Sequence, residues 1–341
     1  MCTPKALSEE EAALYDRQIR LWGLEAQSKL KRAKLLLLGL SPVAGEIIKN
    51  IVLCGISTLT IADRKTVTED DIEHCFLYEE SHFGQLRNIS AVKRAQALNT
   101  MVSITCESNI EADFLYKQYK DYDEFIIALD FHDGILNDWI FYANKFRSFS
   151  NQSKIHCVLS FGMHAIGFAD LGCYTYESDE NRVKASGDVA NTDPPKSANG
   201  DSPVSFVQYP SIKELFDLTW RGEQASRLSA KRMPKGFFLA RLISQVNGPI
   251  TSQALQDAWY NVAEDLGVPT TLLSIEDFES CCGMSSVAIN AIIGGIISQE
   301  VIQGLSHKGT PKGNWYFMDG RTCEVTVLWI PSRAQRPDSS S

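Results

Sequence analysis

Thirty residues near the N-terminus, KLLLLGLSPVAGEIIKNIVLCGISTLTIAD from Lys34 to Asp63, decide the fold. They begin with a continuous apolar run that ends at Gly39, which is typical of a parallel strand buried on both faces. A helix is predicted from Gly45 to Leu53, and a second strand from Ser57 to Asp63. Strand, glycine-containing turn, helix and a strand that ends on an acid together form a βαβ unit.

Helices and strands continue to alternate after this unit, which predicts an α/β fold with a doubly wound, Rossmann-like sheet. Before it, Ser8 and Glu11 have the spacing of a capping box, so a helix should begin there and run to residue 31, broken near Gly23. The further predicted segments are helix 88–99, strand 102–106, helix 111–119, strand 124–129, helix 134–149 and strand 155–160.

The pattern changes after residue 165, which predicts an inserted subdomain. An extended ribbon is expected at 166–176, and residues 186–203 are polar and rich in helix breakers, as in a mobile loop. Helices are predicted at 237–246 and 252–266. The sequence therefore predicts a Rossmann-like domain made of residues 1–165 and 275–341, interrupted by a mostly helical insert at residues 166–274.

The final part of the chain returns to sheet-forming sequence. The segment from Met284 to Leu305 is apolar almost all round, and we interpret it as a core helix packed on the sheet rather than a membrane span. A strand pair is predicted at 315–318 and 323–329, joined by a turn at Asp319 and Gly320.

Composition limits the classes of function. The net charge is −9 and the pI is near 5.3, so nucleic acid is not expected as a partner. No apolar secretion signal is visible, and the nine cysteines include no CxxC pair. These features predict a soluble intracellular protein with reduced thiols, no membrane partner and no zinc site.

The first βα turn is the place where a Rossmann-like fold binds a nucleotide phosphate. Here Gly39 and Gly45 frame the turn, but Pro42 and Ala44 stand between them. Proline has no N–H to offer an anion, and the alanine methyl group obstructs close approach. The turn therefore argues against phosphate binding by this chain.

Four features together resemble the ubiquitin-like-protein activating enzymes, the ThiF- and MoeB-like family. They are the segment YDRQIRLWG at 15–23, the turn at Gly39, the acid Asp63, and a helix with Gly294-Gly295 followed by Gln299-Glu300. The resemblance implies an adenylation-type domain, and a reaction that uses Mg-ATP to adenylate the C-terminal glycine of a modifier before its transfer to a cysteine. It is greatest for the smaller subunit of heterodimers that activate SUMO.

Several residues depart from the catalytic pattern of that family. Asp63 is not followed by the second acid and the asparagine that help to hold ATP, an acidic run spans 69–73, and Arg87 stands where a lysine is usual. No cysteine lies between Tyr174 and Ser280, and Cys281 and Cys282 are expected to be buried thiols. The resemblance thus implies that a larger, cysteine-bearing partner subunit holds the Mg-ATP, the zinc and the thioester, and that this chain binds no cofactor or metal.

Arg17 is the candidate catalytic residue. It matches the family's arginine that reaches across the dimer to ATP bound by the other subunit, where a guanidinium stabilises developing phosphate charge. From the sequence alone, Arg17 and Arg20 would instead pair with Asp16 or Glu25 on a solvated helix face, and we assign Arg20 to that role. The large apolar residues Leu21, Trp22 and Leu24 fit either a staple onto the sheet or a subunit interface.

Two other groups of residues have ordinary explanations. His132 is expected to be a hydrogen-bonded loop residue. The cations Arg227, Lys231, Arg232 and Lys235 fit a solvated helix face by default and a weak nuclear signal as the alternative. The expected location is the nucleus, with the cytoplasm second. Two functional alternatives stay open, a self-sufficient nucleotide-dependent Rossmann enzyme and a regulatory subunit for another modifier such as NEDD8.

Overall fold

The computed structural model describes residues 8–130, 135–148, 153–177, 204–222, 229–246, 248–283 and 285–331. The predicted loop at 186–203 and the candidate residues His132 and Arg227 lie outside these ranges.

An eight-stranded sheet forms the centre of the fold, in the order β10-β9-β6-β5-β4-β1-β2-β3, and β7 and β8 form a separate two-stranded ribbon. The strands are β1 (Lys34–Leu38), β2 (Thr58–Ala62), β3 (Ser103–Glu107), β4 (Glu124–Ile127), β5 (Lys154–Phe161), β6 (His164–Asp170), β7 (Cys173–Glu177), β8 (Val204–Gln208), β9 (Trp315–Asp319) and β10 (Glu324–Leu328).

The first five strands are parallel, and the three that follow them in the sheet are antiparallel. Strand β1 pairs with β2 on one side and with β4 on the other. The chain therefore reverses its direction of winding between β1 and β4, which is where open α/β sheets bind ligands. This arrangement confirms the doubly wound α/β fold that the sequence predicts.

The helices cover both faces of the sheet. They are α1 (Glu9–Leu14), α2 (Asp16–Trp22), α3 (Leu24–Leu30), α4 (Pro42–Cys54), α5 (Glu69–His74), α6 (Arg87–Leu98), α7 (Ala112–Tyr119), α8 (Ile135–Arg147), α9 (Ile212–Phe216), α10 (Lys235–Ile243), α11 (Ser252–Leu266), α12 (Ile275–Glu279) and α13 (Val287–Ser306).

Alternate residues of β1 belong to two different hydrophobic clusters. Leu35 and Leu37 pack with α4 and α13 on one face, whereas Leu36 and Leu38 pack with α8 on the other. All four leucines are fully buried. The continuous apolar run of this strand is explained by this two-sided burial.

The insert packs on the sheet instead of forming a core of its own. Helices α9, α10 and α11 share one hydrophobic cluster with α8 and with strands of the sheet. Residues 166–170 belong to β6, so the sheet extends past the predicted boundary at residue 165. The helix predicted at 252–266 has those bounds, and the one predicted at 237–246 spans Lys235–Ile243.

The N-terminal helix begins with the predicted capping box, since the Ser8 hydroxyl accepts the Glu11 N–H and the Glu11 carboxylate accepts the Ser8 N–H. It breaks at Gly23, which has a φ of 89°, as predicted, and also at Tyr15. The second break was not predicted, and it follows from the burial of the Tyr15 ring in the core.

Helix α13 lies against α4, α3 and the strands β5 and β6. Within the described residues it has the length and apolar composition of a membrane span. Its buried residues recur along the helix and include Ile293, Ile297 and Val301, which join the cluster on the α4 face of the sheet. This packing agrees with the core helix predicted for the segment.

The adjacent glycines of α13 give a matched pair of substitutions. A Cβ at Gly294 would lie 2.7 Å from the Cβ of Glu46 on α4, whereas a Cβ at Gly295 would have no atom within 4 Å. We expect Gly294→Ala to lower the free energy of unfolding by about 1–3 kcal/mol through overpacking. Gly295→Ala should raise it by about 0.5–1 kcal/mol, because alanine favours a helix.

Urea unfolding of the isolated chain measures both changes. Equal effects of the two substitutions would contradict the packing of α13 against α4.

Candidate functional site

The crevice at the carboxyl ends of β1 and β4 is the position where this type of fold binds a ligand. A cavity of about 430 Å³ opens there, and its lining includes Gly39, Asp63, Lys65, Asp130 and Tyr142. Its position is that of a nucleotide site in a Rossmann-like sheet. Whether phosphate fits depends on the donors that the turn after β1 leaves free.

Most donors in that turn already have partners within the protein. The Leu40 N–H donates to the Asp63 carboxylate at 3.0 Å, and the Ser41 N–H donates to the Ala128 carbonyl at 3.2 Å. Helix α4 begins at Pro42, three residues earlier than predicted, because proline suits the first turn of a helix. That proline contributes no N–H, so the helix start offers few donors to an anion.

The carboxylate of Asp63 takes up backbone donors at the edge of this turn. Besides the Leu40 N–H, it accepts the Lys65 N–H at 2.7 Å, and it is only 5% exposed. Burial raises the pKa of Asp63 above its ordinary range. An acid at the end of the second strand is the residue that holds a ribose hydroxyl in Rossmann-like sites, so Asp63 by itself does not exclude a nucleotide.

Arg87, which stands at the position of the family's usual lysine, is bound by two carboxylates. Its guanidinium lies 2.7–2.8 Å from Asp71 and 2.5 Å from Asp130, and the side chain is 8% exposed. The ammonium group of Lys65 lies 2.8 Å from the same Asp130 oxygen. Lys65 and Arg87 are therefore paired within the chain, whereas Arg64, which also lines the cavity, is exposed and makes no ion pair with a described residue. The pairing of Lys65 and Arg87 and the few free N–H donors of the turn disfavour a triphosphate here.

Asp71 and Asp130 are residues of the crevice region that sequence reasoning does not single out. Asp71 falls within the acidic run at 69–73, which stands out in the sequence only as a departure from the catalytic pattern. Asp130 directly follows the predicted strand 124–129, and an acid at such a strand end was the signal available. Its contact with Arg87 depends on the sheet order.

Arg17 lies on α2, on the outer surface of the molecule. Its side chain is exposed, and no hydrogen bond or ion pair joins it to another described residue. Arg20 instead pairs with Asp16 at 3.0 Å, as the sequence predicts for it, and Glu25 pairs with Lys29. The solvated ion pair considered for Arg17 is therefore absent from the described residues.

The sequence predicts that the apolar residues near Arg17 either staple the helix to the sheet or form a subunit interface, and they differ in which role they fit. Leu21 is 77% exposed and Leu24 is 58% exposed, so neither staples the helix to the sheet. Trp22 is half-buried, and its indole N–H donates to the Gln27 side chain at 3.0 Å, which is the behaviour of a staple. Leu14, at 57% exposure, extends the apolar surface on the other side of Arg17.

The cysteine pair before α13 has the character of structural thiols. Cys281 is buried and Cys282 is half-buried, and burial raises the pKa of each thiol above its ordinary value. Such thiols have little of the thiolate form that nucleophilic attack requires. Among the described residues, no group of three His, Cys, Asp or Glu side chains is placed to hold a metal ion.

The described members of the basic cluster do not form one helix face. Lys231 and Arg232 are exposed on a short 3₁₀ turn, Ala230–Arg232. Lys235 begins α10 and pairs with the buried Asp277 at 2.6 Å. This last cation has a structural role between the insert and α12.

The pKa of Asp130 allows the ion pairs at the crevice to be tested. Burial acts to raise the pKa of Asp130, but Arg87 and Lys65 outweigh it and hold that pKa below its ordinary value. A lowered pKa in the folded state stabilises the protein above the unfolded pKa of about 3.9, and the contribution is lost as pH falls through the folded pKa.

We therefore expect Asp130→Asn to lower the free energy of unfolding by about 2 kcal/mol at pH 7, with the difference shrinking below about pH 4. Urea midpoints measured between pH 3 and pH 7 follow it. Asp16→Asn, in the exposed pair with Arg20, should change stability by less than about 0.5 kcal/mol. Parallel curves for Asp130→Asn and the unmodified chain at every pH would contradict the pairing.

Comparison with known proteins identifies the family that this sequence matches. The ThiF family model matches residues 15–338. The SUMO-activating enzyme subunit 1 of Xenopus tropicalis is 31% identical over 351 residues, covering 96% of this chain and 98% of that protein. The human protein of the same name is 31% identical over 332 residues, covering 92% and 93% of the two chains.

Solved structures show the same fold at lower identity. E. coli MccB superposes with a TM-score of 0.56 at 11% identity, covering 94% of this chain and 70% of that one. PaaA superposes with a TM-score of 0.55 at 14% identity, covering 97% and 76%. The family match over most of the length and the identity to full-length relatives lead to one conclusion: the chain belongs to the ThiF family.

Proposed function

We propose that this chain is the non-catalytic subunit of a heterodimeric SUMO-activating enzyme. In this role it supports ATP-dependent adenylation of SUMO and thioester formation on a larger, cysteine-bearing partner subunit. The relatives named SUMO-activating enzyme subunit 1 support a role in SUMO activation and imply a second subunit. The expected location is the nucleus and the cytoplasm.

The observation that carries the proposal is the exposed position of Arg17 on α2. Near the nucleotide position of this chain, Arg87 and Lys65 are paired with its own carboxylates, and Arg64 is a further cation of the cavity lining. Arg17 is exposed on α2 and makes no ion pair with a described residue. A guanidinium available on the surface is suited to an anion that another chain holds.

The chemistry required of Arg17 is electrostatic. Attack of the modifier's C-terminal carboxylate on ATP releases pyrophosphate, and negative charge develops on the phosphate oxygens as the bond breaks. A fixed guanidinium beside those oxygens stabilises this charge more than the ground state, and so lowers the barrier. Mg-ATP belongs to the partner subunit in this proposal.

The exposed leucines Leu14, Leu21 and Leu24 are proposed as the surrounding contact with the partner. Arginine and large apolar side chains concentrate at the centres of protein interfaces, where they exclude water from charged groups. Exclusion of water would also strengthen the attraction between Arg17 and a phosphate.

The main alternative, a self-sufficient nucleotide enzyme, makes a different prediction about the isolated chain. It requires binding of ATP or NAD at micromolar concentration. Because the N–H groups of the βα turn, Lys65 and Arg87 already have partners within the chain, we expect no heat of Mg-ATP binding by the isolated chain, and binding once the large subunit is added. Titration calorimetry measures both, and one bound nucleotide per isolated chain would favour the alternative.

Arg17→Ala tests the proposal directly. We expect the variant to assemble with the large SUMO-activating subunit but to slow SUMO adenylation by about 100-fold or more, because a preorganised charge has been removed. Pyrophosphate exchange in the presence of SUMO and Mg-ATP measures the rate. Arg20→Ala, which removes the exposed pair with Asp16, is the matched control and should keep the exchange rate near that of the unmodified complex.

Leu21→Asp separates assembly from chemistry. It places a charge in the proposed contact, so it should weaken association of the subunits. Pyrophosphate exchange should then be slow at low subunit concentration and return to the unmodified rate at high concentration.

An exchange rate of the Arg17→Ala complex equal to that of the unmodified complex would remove Arg17 from the mechanism. Assembly with a NEDD8-specific partner in place of the SUMO-specific one would favour the other regulatory role.

A further inference from the structure

Three side-chain amides close the C-terminal end of α4. The Asn99 amide donates to the Val52 carbonyl at 3.0 Å. The Gln18 amide donates to the Leu53 carbonyl at 3.1 Å, and the Gln27 amide donates to the Cys54 carbonyl at 2.9 Å. The last carbonyls of a helix have no partner within it, so side chains or water must supply the donors. The Gly55 N–H also donates to the Val52 carbonyl, at 3.1 Å, while the three side-chain amides come from other elements of the fold. We call Gln18, Gln27 and Asn99 the amide clamp.

Two members of the amide clamp also hold aromatic residues at the ends of α2. Asn99 donates a second hydrogen bond, at 2.8 Å, to the hydroxyl of Tyr15, which precedes α2. The side-chain carbonyl of Gln27 accepts the indole N–H of Trp22, the last residue of α2, at 3.0 Å. Gln27 is fully buried and Asn99 is 7% exposed. The Asn99–Tyr15 contact is therefore interior, whereas the Gln27–Trp22 contact lies at the edge of the core.

The backbone after α4 is shaped to receive the same helix. Gly55 has a φ of 78°, and a Cβ at this position would collide with the Tyr15 ring. A left-handed φ and a contact this close both require glycine. The start of α2 is thereby seated directly on the end of α4.

These contacts fix the direction in which Arg17 points. Tyr15, Gln18 and Trp22 follow the i, i+3, i+7 spacing of one helix face and contact the core. Arg17 and Leu21 are exposed. A helix of seven residues has little stability of its own, so its orientation comes from the contacts on its inner face.

From this arrangement we infer that the amide clamp positions Arg17 for the phosphate of the partner subunit, with Gln18 as its central positioning residue. The inference rests on the proposed function, in which Arg17 acts across the interface. Gln18 is adjacent to Arg17 in sequence and is bonded to α4, so loss of its hydrogen bond loosens the segment that carries the guanidinium. A displacement of about 1 Å in a positioned group costs up to about 100-fold in rate.

A double-mutant cycle in the reconstituted heterodimer tests the inference. Gln18→Met keeps the length of the side chain and removes its donor. We expect kcat for SUMO-dependent pyrophosphate exchange to fall by about tenfold. The dissociation constant of the two subunits and the KM for SUMO should stay within about twofold. In an Arg17→Ala background, Gln18→Met should cause no further loss, because the group that it positions is gone.

Two further variants separate positioning from general stability. Gln256→Met removes the glutamine amide that donates to Ser252 on α11, remote in sequence from α2, and should leave kcat unchanged. Tyr15→Phe keeps the ring against Gly55 and loses only the hydroxyl that Asn99 binds. It should lower kcat in the same direction as Gln18→Met, by a smaller factor.

The outcomes distinguish this inference from the function on which it rests. Full activity of Arg17→Ala would reject the proposed function and the role of the amide clamp with it. A slow Arg17→Ala complex beside a normal Gln18→Met complex would reject the amide clamp alone. So would losses that multiply in the double variant, or a Gln18→Met defect confined to subunit association.

Discussion

The pairing of Arg87 with Asp71 and Asp130 is the interaction that determines the electrostatics of the crevice. A buried guanidinium of this kind is stable only with its carboxylates in place, and removing either partner leaves an uncompensated charge. The carboxylate of Asp130 also holds Lys65. Two cations near the crevice are thus neutralised by carboxylates of the same chain, and the carboxylate of Asp63 accepts the Leu40 N–H of the βα turn. The Rossmann-like framework surrounds a crevice in which several charged groups and donors already have internal partners.

Helix α4 connects this crevice with the surface that carries Arg17. It begins at the turn beside Asp63 and ends at the carbonyls that bind the side-chain amides of Gln18, Gln27 and Asn99. Its sides are covered by the sheet, α6 and α13, so the helix is a rigid element of the core. One buried helix therefore fixes both the nucleotide-type turn and the base of the N-terminal helices.

The main sheet could be predicted from sequence because its strands are short apolar runs with distinct boundaries. Leu35 to Leu38 is buried on both faces, as such a run requires. The break at Tyr15 could not be predicted, since it depends on a contact with Gly55 forty residues away in sequence. The pairing of Asp130 with Arg87 and the capping of α4 by Asn99 likewise depend on sheet order and helix packing. The segment at 15–23 identifies Arg17 as a candidate from sequence. Its exposure, and the lack of a partner among the described residues, depend on how α2 packs in the tertiary structure.

The ion pairs beside the crevice have a consequence for a cell that makes the two polypeptides unequally. If the arginine and the nucleotide lie on different chains, a surplus copy of this chain hydrolyses no ATP and activates no modifier before it finds a partner. The amounts of the two subunits then need not be matched closely to avoid wasteful ATP consumption. Under that division of labour, the internal ion pairs would contribute to a safeguard during biogenesis, since they reduce the free positive charge available to a nucleotide on the unassembled protein.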